Sequence, residues 1–186
     1  MLNKLKLDMP IVISHLKDHK SIKDEIMKHI NEQASSRIFS DEHDDLDITR
    51  CDWTIERNVP RKWLEVLRPS LTKELDIIYK ELGYDTYDVK NIWFQQYETN
   101  GVHGWHVHVD CQWTNVYYVD LPEDCPQTEI INPYNQKDII KIDVKEGDLL
   151  TFPSFVIHRA PVNKSNKTKT IISFNSDADI DGGLYV

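Results

Sequence analysis

Two segments in the first half of the chain have apolar residues at helical spacing. In SIKDEIMKHINEQ, isoleucines recur at every fourth position, and Ser21 stands where a helix N-cap is expected. In SLTKELDIIYKELG, which follows Pro69, leucines and an isoleucine share one side, and Gly83 comes at the end. Both segments are predicted to be amphipathic helices whose apolar stripes pack on a sheet.

From Val89 to Asn175 the pattern becomes strand-like. Short apolar runs are separated by turn signals such as Asn100-Gly101 and Gly147-Asp148. Seven or eight short strands fit this region, and no helical segment lies between them to make the crossovers of a parallel sheet. The predicted fold class is mainly β with N-terminal helices, as a double-stranded β-helix of the jelly-roll, cupin-like type.

The length of 186 residues suits one domain with a single well-filled core. We expect residues 1–88 to be mostly helical and to pack on the sheet, residues 89–175 to form the double-stranded β-helix, and residues 176–186 to be a tail, either a mobile end or a lid. No internal repeat interrupts this organisation.

Charge and composition narrow the range of partners. Lys and Arg number 22 against 31 Asp and Glu, and the resulting net charge of −9 repels nucleic acid and anionic membrane surfaces. The apolar runs are short, and the first residues lack the core of a signal peptide. Three cysteines without a CxxC pair suit reduced thiols. We therefore expect a cytoplasmic protein without nucleic-acid or membrane partners.

The segment WHVHVD carries the most specific chemistry of the chain. In an extended strand His106, His108 and Asp110 point to the same side, because side chains alternate between the two faces. Imidazole and carboxylate ligands together suit a first-row metal such as iron(II), and His158 can supply a further ligand from a later strand. The pattern predicts a metal site.

The order of motifs from residue 89 to residue 175 resembles a known family, the Fe(II)- and 2-oxoglutarate-dependent oxygenases, and in particular a small branch related to prolyl hydroxylases. The motifs that carry the resemblance are Tyr97, Gly101, His106-Val107-His108, Val116-Tyr117-Tyr118, Gly147-Asp148, Phe152-Pro153, His158, Lys169 and Phe174-Asn175.

This resemblance implies a double-stranded β-helix that uses Fe(II), 2-oxoglutarate and O2. It also implies that oxidation of 2-oxoglutarate to succinate and CO2 is coupled to hydroxylation of an unactivated C–H bond, in a protein residue or a small metabolite. Lys169 is the candidate for binding the far carboxylate of 2-oxoglutarate, and Tyr97 is the second candidate for binding the co-substrate. No catalytic residue beyond the metal ligands is implied.

Two registers of the ligand motif remain open. Counted from Tyr97, His106 takes the family's first ligand position, which gives the triad His106, His108 and His158 and leaves Asp110 to orient an imidazole. Shifted by two residues, the motif has Asp110 as a carboxylate ligand beside His108 and His158. We favour the all-histidine register because the shifted one brings Asp110 too close to the following strand.

A second departure from the family concerns the binding of the co-substrate. Lys169 stands where many members have Arg, and a lysine cannot hold a carboxylate as a bidentate fork. Trp113 and Tyr117 are candidates to line a substrate pocket, and aromatic core residues are the alternative reading of both.

Three functions therefore stay open at the level of sequence. The first is a 2-oxoglutarate-dependent oxygenase acting on a small molecule or a peptide. The second is a three-histidine, cupin-like iron dioxygenase that needs no 2-oxoglutarate. The third is a non-catalytic jelly-roll binding module.

Overall fold

A computed structural model describes residues 8–42, 44–56 and 58–180 of the chain. The helices are α1 (His19–Glu32) and α2 (Lys62–Glu81). The strands are β1 (Val12–His15), β2 (Ser36–Phe39), β3 (Leu46–Cys51), β4 (Thr86–Tyr97), β5 (Val102–His106), β6 (Trp113–Asp120), β7 (Glu129–Ile131), β8 (Ile139–Lys141), β9 (Asp148–Pro153), β10 (His158–Ala160) and β11 (Lys169–Asp179).

All strand pairs are antiparallel, and the eleven strands form one curled sheet. The order is β1-β9-β6-β11-β4-β3-β5-β10-β7-β8, with β2 paired to β3. Strand β11 lies between β4 and β6 and is the longest-paired element of the sheet. A mainly β, jelly-roll architecture with helices in the N-terminal part is confirmed.

The two faces of the sheet carry two separate apolar clusters. The helix-side cluster joins α1 and α2 to the outward side chains of the sheet, such as Phe94 and Ile172. The inner cluster fills the space enclosed by the curled sheet, with Val116 and Ile171 among its members. Alternation along the strands produces this division, because neighbouring residues such as Ile171 and Ile172 point to opposite faces.

Helix α2 is longer than the sequence pattern predicts, because it begins at Lys62 and continues through Pro69. The apolar stripe of Trp63, Leu67 and Leu71 runs on both sides of the proline and is buried along its whole length. Burial of each large side chain contributes roughly 1.5–3 kcal/mol, and two such residues offset the roughly 3 kcal/mol that an interior proline costs a helix.

Helix α1 begins at His19, and its N-cap residue is Asp18 rather than Ser21. The Ser21 hydroxyl lies inside the first turn and donates a hydrogen bond to the backbone oxygen of Asp18. Neither described helix combines the length and the apolar character that a membrane span requires.

The N-terminal part contains more strand than predicted. Strand β1 adds to the edge of the sheet beside β9, and β2 and β3 form a hairpin that joins β4 and β5. These strands have four to six residues, too short for a periodic pattern to stand out. Residues 176–179 belong to β11 and are not a tail, and residues 181–186 lie outside the described part of the chain.

Candidate metal centre

Three histidines converge on the inner side of the sheet. His106 ends β5 and His158 begins β10, and the two residues are direct partners across the strand pair. The ring centres of His106 and His158 lie 4.2 Å apart. The ring centre of His108 lies 5.4 Å from that of His106 and 5.1 Å from that of His158. One potential ligand atom from each residue lies within 4.8 Å of the other two. This is the only such group of three or more among the described residues.

The segment after β5 places His108, although the sequence argument relied on strand alternation. Strand β5 ends at His106, and the backbone N–H of His108 instead donates to the backbone oxygen of Ser154, 3.1 Å away. Ser154 lies in the turn that follows β9 and precedes His158. The loop that carries His108 is therefore tied to the segment that carries His158.

Each imidazole of the triad is held through its Nδ1 atom. The acceptor is the backbone oxygen of Gly104 for His106 (2.7 Å), the backbone oxygen of Val156 for His158 (2.9 Å) and the Asn175 side-chain oxygen for His108 (2.5 Å). A carbonyl oxygen only accepts, so each Nδ1 carries the proton and each Nε2 keeps a free lone pair. Such an arrangement orients imidazoles for metal ligation.

Burial keeps the three rings in the neutral state that binds metal. It lowers the pKa of His106 to about 4, although the hydrogen bond to Gly104 opposes the shift. Burial also lowers the pKa of His108 and holds that of His158 well below its ordinary value, with the neighbouring His106 acting in the same direction. Three convergent, neutral nitrogen donors fit a divalent first-row metal ion.

Asp110 lies outside this cluster. Its side chain is exposed, its backbone takes a left-handed conformation with φ of 59°, and its backbone oxygen accepts a hydrogen bond from Lys90. The predicted role of Asp110 in orienting an imidazole is wrong, because Asn175 supplies the acceptor to His108. The geometry of the described residues matches the all-histidine register.

Lys169 lies inside the curled sheet, 1% exposed. Its Nζ donates to the backbone oxygen of Pro126 at 2.8 Å and stands 5.4 Å from the ring centre of Tyr97 and 6.0 Å from that of Tyr118. No carboxylate of the described residues forms an ion pair with it. Burial lowers the pKa of Lys169 to about 8. A buried cation without an anionic partner is a fitting site for a ligand carboxylate.

Trp113 and Tyr117 do not line the cavity beside the triad. Both belong to the helix-side cluster, and the Tyr117 hydroxyl lies 2.7 Å from Nδ1 of His19 in α1. The predicted place for them beside the metal is therefore wrong, and Trp113 instead lines a separate surface pocket with Tyr84 and Phe155. The reason is alternation along β6, which turns Thr114 and Val116 toward the triad and the residues between and beside them toward the helices.

His103 is a fourth histidine at the site, although regular strand alternation from His106 would place it on the opposite face. Its ring is stacked on that of His106, with ring centres 3.8 Å apart and an angle of 15° between the ring planes. Burial lowers the pKa of His103 to about 3. A β-bulge in β5 explains this position of His103. From the pair His158–His106 to the pair Ala160–His103, β10 advances by two residues and β5 by three. The extra residue brings two histidines of opposite parity to the same face.

Solved structures share this fold. An oxidoreductase of the 2OG-Fe(II) oxygenase family from Burkholderia pseudomallei is 14% identical, with a TM-score of 0.69 over 89% of this chain and 84% of that chain. A Pseudomonas putida prolyl-4-hydroxylase is 14% identical, with a TM-score of 0.61 over 89% and 91%. A Trichoplax adhaerens prolyl hydroxylase, solved in complex with a hypoxia inducible factor peptide fragment, is also 14% identical, with a TM-score of 0.66 over 92% and 84%. Fold and site together define a jelly-roll protein with three histidines gathered on the inner side of its sheet.

A family comparison makes the class more specific. Residues 91–175 match the family described as "Putative 2OG-Fe(II) oxygenase", and this segment contains the three histidines and Lys169. This match over residues 91–175 confirms the resemblance seen in the sequence. The family implies Fe(II), 2-oxoglutarate and O2 as cofactors. Comparison with curated protein sequences gives no match.

Proposed function

We propose that this oxygenase binds Fe(II) through Nε2 of His106, His108 and His158 and couples oxidation of 2-oxoglutarate to hydroxylation of an unactivated C–H bond. The observation that carries the proposal is the convergence of three neutral imidazoles, each with Nδ1 already hydrogen-bonded to an oxygen. Three protein ligands on one side of a metal leave open positions for co-substrate and O2.

Lys169 is proposed to bind the far carboxylate of 2-oxoglutarate. Lys169 shares the inward face of β11 with Ile171 and Ser173, which line the cavity of the triad. The cation is buried and lacks an ion-pair partner among the described residues, so a carboxylate there forms a charge-assisted hydrogen bond. The Tyr118 hydroxyl, 2.6 Å from the Thr128 hydroxyl, lies at the same end of the cavity.

Iron bound at the triad would supply the oxidising chemistry, with succinate and CO2 released from 2-oxoglutarate. The chain itself contributes orientation and exclusion of water. Gly104, Val156 and Asn175 fix the three imidazole planes, so the site needs little rearrangement when metal arrives. The buried walls of the inner cluster keep the co-substrate in an environment of low polarity.

The surroundings of the triad support a peptide or small-molecule substrate. Val107, Val109, Phe155 and Ile157 are exposed apolar side chains in the two segments that flank His108 and His158. An exposed apolar rim favours contact with an apolar part of a ligand. The Trichoplax adhaerens structure contains a peptide fragment, which supports a protein residue as one substrate class for this chain.

The function is tested by anaerobic titration with Fe(II) and by succinate formation under oxygen. We expect one iron per chain and conversion of 2-oxoglutarate to succinate. His158→Ala should abolish both, while His29→Ala in α1 should leave both unchanged, because His29 lies on a helix outside the triad. Unchanged iron stoichiometry in His158→Ala would remove the metal assignment. Oxygen uptake without 2-oxoglutarate would instead favour a three-histidine dioxygenase.

Lys169→Ala tests the co-substrate assignment separately. Loss of a charge-assisted contact costs roughly 1.5–3 kcal/mol, which is about a tenfold to hundredfold loss of affinity for 2-oxoglutarate. The matched control is Lys167→Ala, because Lys167 lies close by in sequence but is exposed and paired with Asp124. Equal half-saturation by 2-oxoglutarate in wild type and Lys169→Ala would place the carboxylate site elsewhere.

A further inference from the structure

Two polar side-chain atoms in the wall of the triad cavity have no hydrogen-bond partner among the described residues. They are Nε1 of Trp93 and Oγ1 of Thr114. Trp93 is 7% exposed and Thr114 is fully buried, and both residues line the cavity that contains the three histidines. A buried polar atom without a partner is unfavourable, so both atoms are available to a ligand that enters the cavity.

Both atoms lie on the His108 side of the site. The Trp93 ring stacks on the His108 ring, with centres 6.0 Å apart. Thr114 is the strand partner of Asn175, whose side chain holds His108. Trp53 stacks on Trp93 at 5.7 Å, and this contact fixes the indole plane from the solvent side.

This part of the wall lies far from the proposed anchor of the co-substrate. Trp93 and Thr114 pair with Ser173 and Asn175, which follow Lys169 on the same face of β11. Ser173 and Asn175 lie four and six positions after Lys169, and these separations span roughly 13–20 Å at the rise of an extended strand. 2-Oxoglutarate held on Lys169 has a five-carbon chain, which is shorter than this separation.

We propose that Trp93 and Thr114 form a subsite for an acceptor oxygen of the substrate, beside the carbon that is oxidised. This inference rests on the proposed function. The indole N–H only donates, so it requires an oxygen such as that of an amide carbonyl or a carboxylate. The Thr114 hydroxyl can donate to the same group. The subsite selects substrates that carry such an oxygen close to the reacting C–H bond and disfavours plain hydrocarbons.

The indole N–H signals of Trp93 and Trp113 allow a direct test. The chain has five tryptophans, and each gives one indole signal in a nitrogen–proton correlation spectrum. Trp113 is an internal control, because its Nε1 is also buried without a partner among the described residues but its ring belongs to the helix-side cluster. The protein is loaded with Zn(II) and 2-oxoglutarate, which cannot turn over, and Trp93→Phe identifies the Trp93 signal.

The probes are N-methylacetamide for an amide carbonyl and acetate for a carboxylate. We expect one of them to move the Trp93 indole signal downfield in a saturable manner, while the Trp113 signal stays in place. The probe that acts identifies the chemical source of the oxygen. Thr114→Val keeps the shape of the side chain. It should lower the affinity for that probe about two- to tenfold, as expected for loss of one hydrogen bond.

A Trp93 signal that responds to neither probe would overturn the subsite, and so would equal responses of Trp93 and Trp113. An unchanged affinity in Thr114→Val would remove Thr114 from it. These results differ from failure of the proposed function, in which the wild-type protein would bind no Zn(II) or no 2-oxoglutarate before any probe is added. That result would withdraw the inference as well.

Discussion

At the scale of single residues, His106 and Asp110 distinguish the two registers of the metal-ligand motif. Under the all-histidine register, His106→Ala removes a ligand and should abolish stoichiometric iron binding. Asp110→Ala should retain a full iron site, because Asp110 is exposed and lies outside the group of three histidines. Iron content and succinate formation of both variants at saturating iron decide between them. If His106→Ala is fully active and Asp110→Ala is inactive, the shifted register is correct and Asp110 is the third ligand.

Asn175 is expected to act on the metal through His108. Its side-chain oxygen lies 2.5 Å from Nδ1 of that ring, and loss of such an orienting acceptor typically lowers metal affinity by about 10- to 100-fold without changing stoichiometry. Titration of Asn175→Ala with Co(II), which reports ligation through its visible spectrum, measures the loss. Asn175→Asp retains an acceptor oxygen and should restore the affinity.

The matched control for Asn175 is Asn115→Ala. Asn115 is a buried asparagine of the adjacent strand, but its side chain bonds to Ser176 and Thr151 on the other face of the sheet. This control should lower the free energy of unfolding and leave the Co(II) affinity unchanged. An equal loss of affinity in both variants would mean that Asn175 acts through general stability and not through His108.

At the scale of elements, the sequence predicted the residues of the site better than their placement. The three histidines and Lys169 were found because their chemistry stands out against the strand pattern. The fourth histidine was missed because a bulge in β5 changes the parity between His103 and His106. A bulge of one residue has no sequence signal here. The Phe174-Asn175 motif did not predict the contact of Asn175 with His108, because an amide side chain has many ordinary roles in a strand.

Helix α2 also differs from its sequence prediction, and the difference can be tested. Pro69 stopped the predicted helix, yet tertiary packing of the stripe around Leu67 and Leu71 carries the helix across it. Pro69 is exposed, so Pro69→Ala should restore a backbone hydrogen bond without disturbing a contact in the core. The free energy of unfolding in urea should rise by about 1–3 kcal/mol, with metal affinity unchanged. A decrease would show that the proline stabilises the local backbone shape of α2.

At the scale of the whole molecule, Lys169 makes the stability of the metal-free protein depend on pH. Burial lowers its pKa to about 8 from an ordinary value of 10.5, so the folded state disfavours the charged form. The destabilisation is fully present below pH 8, where folded and unfolded chains are both protonated. It declines as pH rises from about 8 to 10.5, because the folded protein releases its proton first.

Lys169→Met is therefore expected to be more stable than wild type at pH 7, by up to about 3 kcal/mol. The advantage should shrink by pH 10. Urea unfolding of the metal-free proteins at both pH values measures it, with the exposed Lys167→Met as control. A difference that does not change with pH would show that packing, and not the buried charge, determines the stability of the variant.

The curled sheet keeps its two apolar clusters on opposite faces, with α1 and α2 on one side and the histidines on the other. Neighbouring positions of a single strand, such as Val116 and Tyr117 in β6, consequently pack in different clusters and serve different purposes. An engineer can therefore vary alternate residues independently. A library of variants at the helix-facing positions changes thermal stability and leaves the residues around the histidines unchanged. A library at the inward-facing positions changes the substrate range and leaves the packing of the helices unchanged.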